Sequence, residues 1–226
     1  MGKTVGVDFF CKAQYLSHLA EQNGATYFLV KQANQKENSY DSDLYMLRDG
    51  KVSKLTGSRD VKDFALLPEG IAFPSLRTKQ DKAEAEKGLP LTVFQLLPYE
   101  GGEAQEYLRL PYAVEQAEWL PGKRLLFRAP YDHAWEEALS QCNGDREAAL
   151  KQRKEASAGY TVLDELPFWF NGMGVINKKR SALFLYEEKA WMLSDPLANV
   201  GRVVLSPDGS KALFAQQIKA IKPRVD

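Results

Sequence analysis

Cysteine and histidine are scarce in this chain, with two of each among 226 residues. Cys11 and Cys142 stand in no metal-type spacing, and a lone pair makes no disulfide framework. No apolar run approaches the roughly eighteen residues of a membrane span. The start, Met1-Gly-Lys-Thr-Val-Gly-Val-Asp, lacks the long apolar core of a signal peptide. Gly6 stands where myristoylation requires Ser or Thr. A surplus of one charge is missing too, because 30 Lys+Arg cancel 30 Asp+Glu at pH 7. Attraction to nucleic acid or to an anionic membrane through bulk charge is therefore not expected. The apolar share of 44% and the charged share of 27% are ordinary for a folded chain, which excludes disorder and collagen-like structure. The length suits one large domain or two small ones. The expected setting is the reducing cytoplasm.

What is abundant is a repeated hairpin. In Val203-Val-Leu-Ser-Pro-Asp-Gly-Ser-Lys-Ala-Leu-Phe214, two apolar runs flank Pro207, Asp208 and Gly209. Proline presets φ, Asp bonds its own backbone and Gly accepts positive φ, so the string predicts a β-hairpin turn. Ala117-Glu-Trp-Leu-Pro-Gly-Lys-Arg-Leu-Leu-Phe127 repeats it without the Asp, Asp63-Phe-Ala-Leu-Leu-Pro-Glu-Gly-Ile-Ala-Phe73 is a third copy, and His18 to Phe28 a weaker fourth. A partner hairpin lies between these copies, at Leu44 to Thr56, Thr92 to Leu110 and Leu183 to Ser194. The unit is thus four short strands made of two hairpins. Gly24 to Gly70 spans 46 residues and Gly70 to Gly122 spans 52. Gly122 to Gly209 spans 87, read as two periods with a degraded copy around Val175 to Phe184.

Four strands per 40–50 residues, repeated in order, is the blade of a β-propeller. A sandwich also has short strands but does not repeat the same two hairpins. The expected fold is all-β: a single, incomplete propeller domain over 1–226, of about four to five four-stranded blades. Two stretches interrupt it. Residues 77–88 form a charged run that reads as a solvated loop or short exposed helix. Residues 133–156 are rich in helix formers and split at Asn143-Gly144, predicting a helical insertion of two short pieces.

Catalytic signals are thin. No Gly-x-Ser-x-Gly string is present, His18 falls inside a strand, and His133 opens the helical stretch beside Asp132, which reads as an N-cap. Asp41-Ser-Asp43 has no Gly-spaced loop or distant Glu to complete a calcium site. No catalytic residue, metal ligand or cofactor is assigned. The least ordinary segment is Leu163-Asp-Glu-Leu-Pro-Phe-Trp-Phe-Asn-Gly-Met-Gly174. As blade core, Phe168 and Phe170 face one way and Trp169 the other. The functional alternative is an aromatic and acidic patch at the mouth of a central channel.

The Ser206-Pro-Asp-Gly-Ser-Lys-Ala-Leu-Phe hairpin, the Gly101-Gly-Glu-Ala turn, Asn38-Ser-Tyr-Asp-Ser-Asp-Leu-Tyr45 and the Asp164-Glu-Leu-Pro-Phe-Trp-Phe-Asn-Gly-Met-Gly run, in their combination, resemble a known family. It is the N-terminal propeller of prolyl-oligopeptidase-type serine peptidases, closest to the acylaminoacyl-peptidase and dipeptidyl-peptidase branch, and the resemblance covers about Val7 to Phe214. It implies a propeller of about seven blades capping a C-terminal α/β-hydrolase domain that holds the triad. Substrate passes between the two, and the cap rejects folded proteins while helping to place the peptide N-terminus. This sequence stops at Asp226 before any hydrolase domain, so no catalytic residue carries over. The expectation is a piece of a longer cytoplasmic peptidase, with the hydrolase domain and a peptide substrate as partners, and with self-association through open blade edges. Joined to that domain, Glu165 holds a peptide ammonium and Trp169 supplies apolar or cation–π contact. The alternative is a free-standing propeller that binds proteins and catalyses nothing.

Overall fold

The computed structural model describes Gly6 and residues 9–160, 162–163, 165–166, 168–171 and 174–218. By packing, the chain divides into two compact units: residues 1–83 with 92–110, and residues 84–91 with 111–226.

The first unit begins with a single helical turn, α1 (Phe9–Lys12), and contains two four-stranded antiparallel sheets. The first sheet is a meander of β1 (Gln14–Gln22), β2 (Ala25–Asn34), β3 (Ser39–Arg48) and β4 (Lys51–Lys54), in that order. Its outer hairpins close through two-residue turns, Asn23-Gly24 and Asp49-Gly50, in which all four residues have positive φ. That is the turn whose twist matches paired strands, and Asn-Gly and Asp-Gly are the pairs that adopt it. The second sheet repeats the meander with β5 (Ala65–Leu67), β6 (Gly70–Pro74), β7 (Thr92–Leu97) and β8 (Gln105–Leu110). Alternate residues of β2 face inward: Ala25, Tyr27 and Leu29 are buried with Leu44, Val61, Ile71, Phe73 and Leu97 in one core joining the two sheets. Each of the large aliphatic side chains contributes roughly 1.5–3 kcal/mol on burial.

Between β6 and β7 the charged run forms α2 (Lys79–Lys87). It opens on Thr78, whose Oγ1 accepts from Asp81 N at 3.0 Å. Asp81 is not a solvated residue of that run: it is buried, and Arg109 Nη1 reaches its Oδ1 at 2.7 Å. Glu106 takes the other side of the same guanidinium, also at 2.7 Å.

The second unit holds the third four-stranded sheet. Its strands are β9 (Gln116–Leu120), β10 (Arg124–Asp132), β13 (Lys179–Tyr186) and β14 (Ala190–Met192). Between β10 and β13 lie α3 (His133–Gln141), α4 (Arg146–Ala156) and a two-stranded ribbon of β11 (Trp169–Phe170) with β12 (Gly174–Val175). Asp132 caps α3 through Ala134 N at 3.0 Å, and Asp145 caps α4 through Ala148 N at 3.0 Å. Asn143 and Gly144, both at positive φ, break the helices apart. The final hairpin, β15 (Ala198–Leu205) with β16 (Ala212–Ile218), packs Val200 and Val203 on Leu126 and Leu183 of the third sheet.

The count of strands corrects one expectation. β13 pairs directly with β10, Asp132 opposite Lys179, so the stretch read as a degraded extra copy is the third strand of an interrupted blade. Without the 46 residues 133–178, the interval from Gly122 to Gly209 shrinks from 87 to 41 residues, close to the other two. Among the described residues there are thus three complete four-stranded sheets and a further hairpin, just short of the four to five blades expected.

Candidate functional site

The segment between α4 and β13 is where the chain leaves the blade pattern and shows its apolar side chains to solvent. Tyr160, Val162, Leu163, Leu166, Phe168 and Trp169 are all exposed. The ribbon that carries Trp169 is short. Trp169 pairs with Val175 and Phe170 with Gly174, and Ile176 N donates to Phe168 O at 2.8 Å. Gly174 sits at φ +69, which releases the chain from the turn. The blade-core reading fails for Phe168 and Trp169, at 38% and 55% exposure. A two-residue strand pair outside the four-stranded sheet offers no sheet face on which to bury them. Asp164, Pro167, Gly172 and Met173 of the same run, and the side chain of Phe170, lie outside what the structure describes.

Glu165 is placed differently. It is 5% exposed, and its carboxylate meets the guanidinium of Arg180 in a fork, Nη2 to Oε1 at 2.5 Å and Nη1 to Oε2 at 3.2 Å. Lys178 N donates to Oε2 at 2.7 Å. Arg180 in turn reaches Leu197 O through Nε at 3.0 Å and Lys179 O through Nη1 at 2.9 Å. Both side chains are nearly sealed from water, the setting in which a bidentate pair is short and directional. The pair ties the segment at 165 to β13 and to the turn before β15. Its chemistry is structural: both carboxylate oxygens are occupied and the charge is neutralised. Glu165 faces inward and Trp169 outward, so the two do not form one aromatic and acidic patch.

Arg180 is the residue that sequence reading missed. Its signal was available: in β13, positions 180, 182 and 184 are buried, so an arginine stands in line with Ala182 and Phe184 on an inward face. A charge at an inward strand position requires a buried partner.

The histidines carry no catalytic geometry. His18 sits at a bulge in β1 with φ +54, half-exposed and 3.9 Å from Asp63. His133 is the first residue of α3, its ring edge-on to Tyr131 at 4.9 Å and its Nε2 3.1 Å from Pro196 O. Among the described residues no group of three His, Cys, Asp or Glu is placed to hold a metal ion. Cys11 and Cys142 are free thiols. No helix among the described residues is long and apolar enough to cross a membrane.

No family model matches the chain, and no curated protein does. Solved structures do. The uncomplexed acylaminoacyl peptidase of Pyrococcus horikoshii is similar at a TM-score of 0.61 and 15% identity, over 95% of this chain and 30% of that one. An orthorhombic crystal form of the same enzyme gives a TM-score of 0.61 at 14% identity with the same coverage. An acylaminoacyl peptidase in complex with Z-Gly-Gly-Phe-chloromethyl ketone gives 0.58 at 14%. The fold is a partial β-propeller. This chain spans about a third of the length of the peptidases it matches, and at such identity the likeness is one of fold.

Proposed function

We propose that the chain is the non-catalytic propeller cap of a cytoplasmic serine peptidase of the prolyl-oligopeptidase and acylaminoacyl-peptidase type, forming one propeller domain over 1–226. The observation that carries this reading is the fold likeness over 95% of the chain to acylaminoacyl peptidases. The cap gates access: a narrow entrance admits extended peptides and rejects folded proteins by size, which is specificity by exclusion. The chemistry belongs to an α/β-hydrolase partner domain, and the cap's own part is to admit and position the peptide.

Within the cap, Trp169 is the substrate-facing candidate. Its indole is exposed and mounted on a short ribbon, available for apolar or cation–π contact with a peptide. Glu165 acts through Arg180 as a positioning residue, fixing the base of the segment that presents Trp169. The test is peptide hydrolysis by the full-length enzyme. Trp169→Ala is expected to raise KM several-fold with kcat little changed, the mark of lost binding common to ground and transition states. Unchanged kinetics would reject the assignment of Trp169. A second copy of the chain is a further partner in isolation, because the first sheet and the last hairpin expose Leu16, Val52 and Leu213.

A further inference from the structure

One cavity is not used by the reading above. By register, Val30, Asp43, Tyr45 and Lys54 lie on the same face of the first sheet. They floor an open cleft of about 630 Å³ that Arg59 and Lys36 also line. Asp43 is buried at the base and fully engaged. Its Oδ2 meets Lys54 Nζ at 2.6 Å, while its Oδ1 accepts from Thr56 Oγ1 at 3.1 Å and from Arg59 N at 3.0 Å. Donating a hydrogen bond to Asp43 holds the Lys54 ammonium above the ordinary lysine range.

Arg59 has φ +64, a left-handed conformation that a long side chain adopts at a cost and glycine adopts freely. The backbone around it is clamped. Its N–H goes to Asp43, its carbonyl accepts from Ser42 N at 3.0 Å, and Ser42 O accepts from Val61 N at 3.0 Å. A turn that needed only this conformation is met better by Gly or Asn. An arginine here accepts backbone strain and places a guanidinium at the cleft. That guanidinium is two-thirds exposed, and its ion pair with Asp41 is loose, Nη1 to Oδ2 at 3.9 Å, beyond hydrogen-bond range. Asp41 Oδ1 is held by Asn34 Nδ2 at 3.0 Å. Of the lining charges, Asp43 and Lys54 neutralise each other, which leaves Glu37 and Asp41 against Lys12, Lys36 and Arg59, a surplus of one positive charge.

We infer that this cleft binds a carboxylate-bearing peptide segment, with Arg59 as the bidentate donor and Lys36 as a supporting charge. The planar guanidinium fork matches a carboxylate, and the cleft has the size of a site for a few residues. The inference stands apart from the peptidase reading, because it concerns residues of the first unit alone and needs no hydrolase domain.

The test titrates the full 226-residue chain at low salt with the peptide N-acetyl-Asp-Glu-Glu-amide, and in parallel with inorganic phosphate, followed by calorimetry. Saturable peptide binding is expected, weakened about tenfold or more by Arg59→Gln and by raised ionic strength. Arg59→Gly is expected to weaken binding equally while raising the thermal midpoint, since it relieves the backbone strain and keeps the turn. A purely structural arginine would do the opposite in that variant, so a lowered midpoint overturns the inference. So does peptide binding that survives Arg59→Gln, the absence of saturation, or saturation by phosphate with none by the peptide.

Discussion

At the scale of single residues, the pair Glu165 and Arg180 carries the largest stake. Removing one member of a sealed ion pair leaves a buried charge uncompensated, which costs about 3 kcal/mol or more. Glu165→Gln is expected to destabilise the chain by about that amount in urea unfolding, whereas Trp169→Ala, which removes an exposed side chain, stays within about 0.5 kcal/mol. Equal small effects from both would mean that the pair does not anchor the segment. Asp81 makes a pH-dependent contribution of known sign. The hydrogen bond from Arg109 holds its carboxyl below the ordinary value of 3.8, against the opposing effect of burial. A carboxylate depressed in the folded state stabilises above its unfolded pKa, near 4, and that contribution fades as pH falls through the folded value. The gap in thermal midpoint between the natural chain and Asp81→Asn is therefore expected to be full at pH 7 and to close below about pH 4. A gap constant down to pH 3 would contradict the assignment. Sequence reading reached neither network. Both join residues 15 to 28 positions apart, and a charged residue looks the same on paper whether its partner is water or an arginine from a distant strand.

At the scale of elements, more was legible. The hairpins centred on Gly24, Gly70, Gly122 and Gly209, and the partner hairpins between them, form as their turn chemistry and alternation require. Asp208 shows why: its carboxylate accepts from Ser206 Oγ, Ser210 N and Ser210 Oγ, and these bonds pull its pKa down to about 2. The misread interval had a physical cause. A blade's strands pair by register, and register tolerates a long excursion between two paired strands, so counting residues mistook a helical and ribbon insertion for an extra blade. Gly70 offers a test of how tightly the second sheet is built. A Cβ there would stand 2.5 Å from Leu97 O, a backbone atom held in the β6–β7 ladder. Gly70→Ala is expected to cost about 2 kcal/mol or more, read as a lowered urea midpoint with an unchanged slope. A neutral substitution would show that the ladder can move aside.

For the whole molecule, each unit buries its apolar residues between successive sheets, which is how blades obtain a core that none has alone. The sequence made that architecture readable because the repeat is written in turn residues; what the repeat could not carry is the inserted segment, whose exposed side chains follow no period. Sheet faces left without a neighbour are expected to draw a second copy, so light scattering on the isolated chain should give an apparent mass that rises with concentration. A monodisperse monomer throughout would sink that expectation. The central claim, that this chain serves as the cap of a serine peptidase, is tested most directly in extract from its own cells. The extract is labelled with a fluorophosphonate serine probe and the protein captured with an antibody to this segment. The account predicts a labelled band well above the 25.4 kDa of this chain. An unlabelled band at the chain's own size would contradict it.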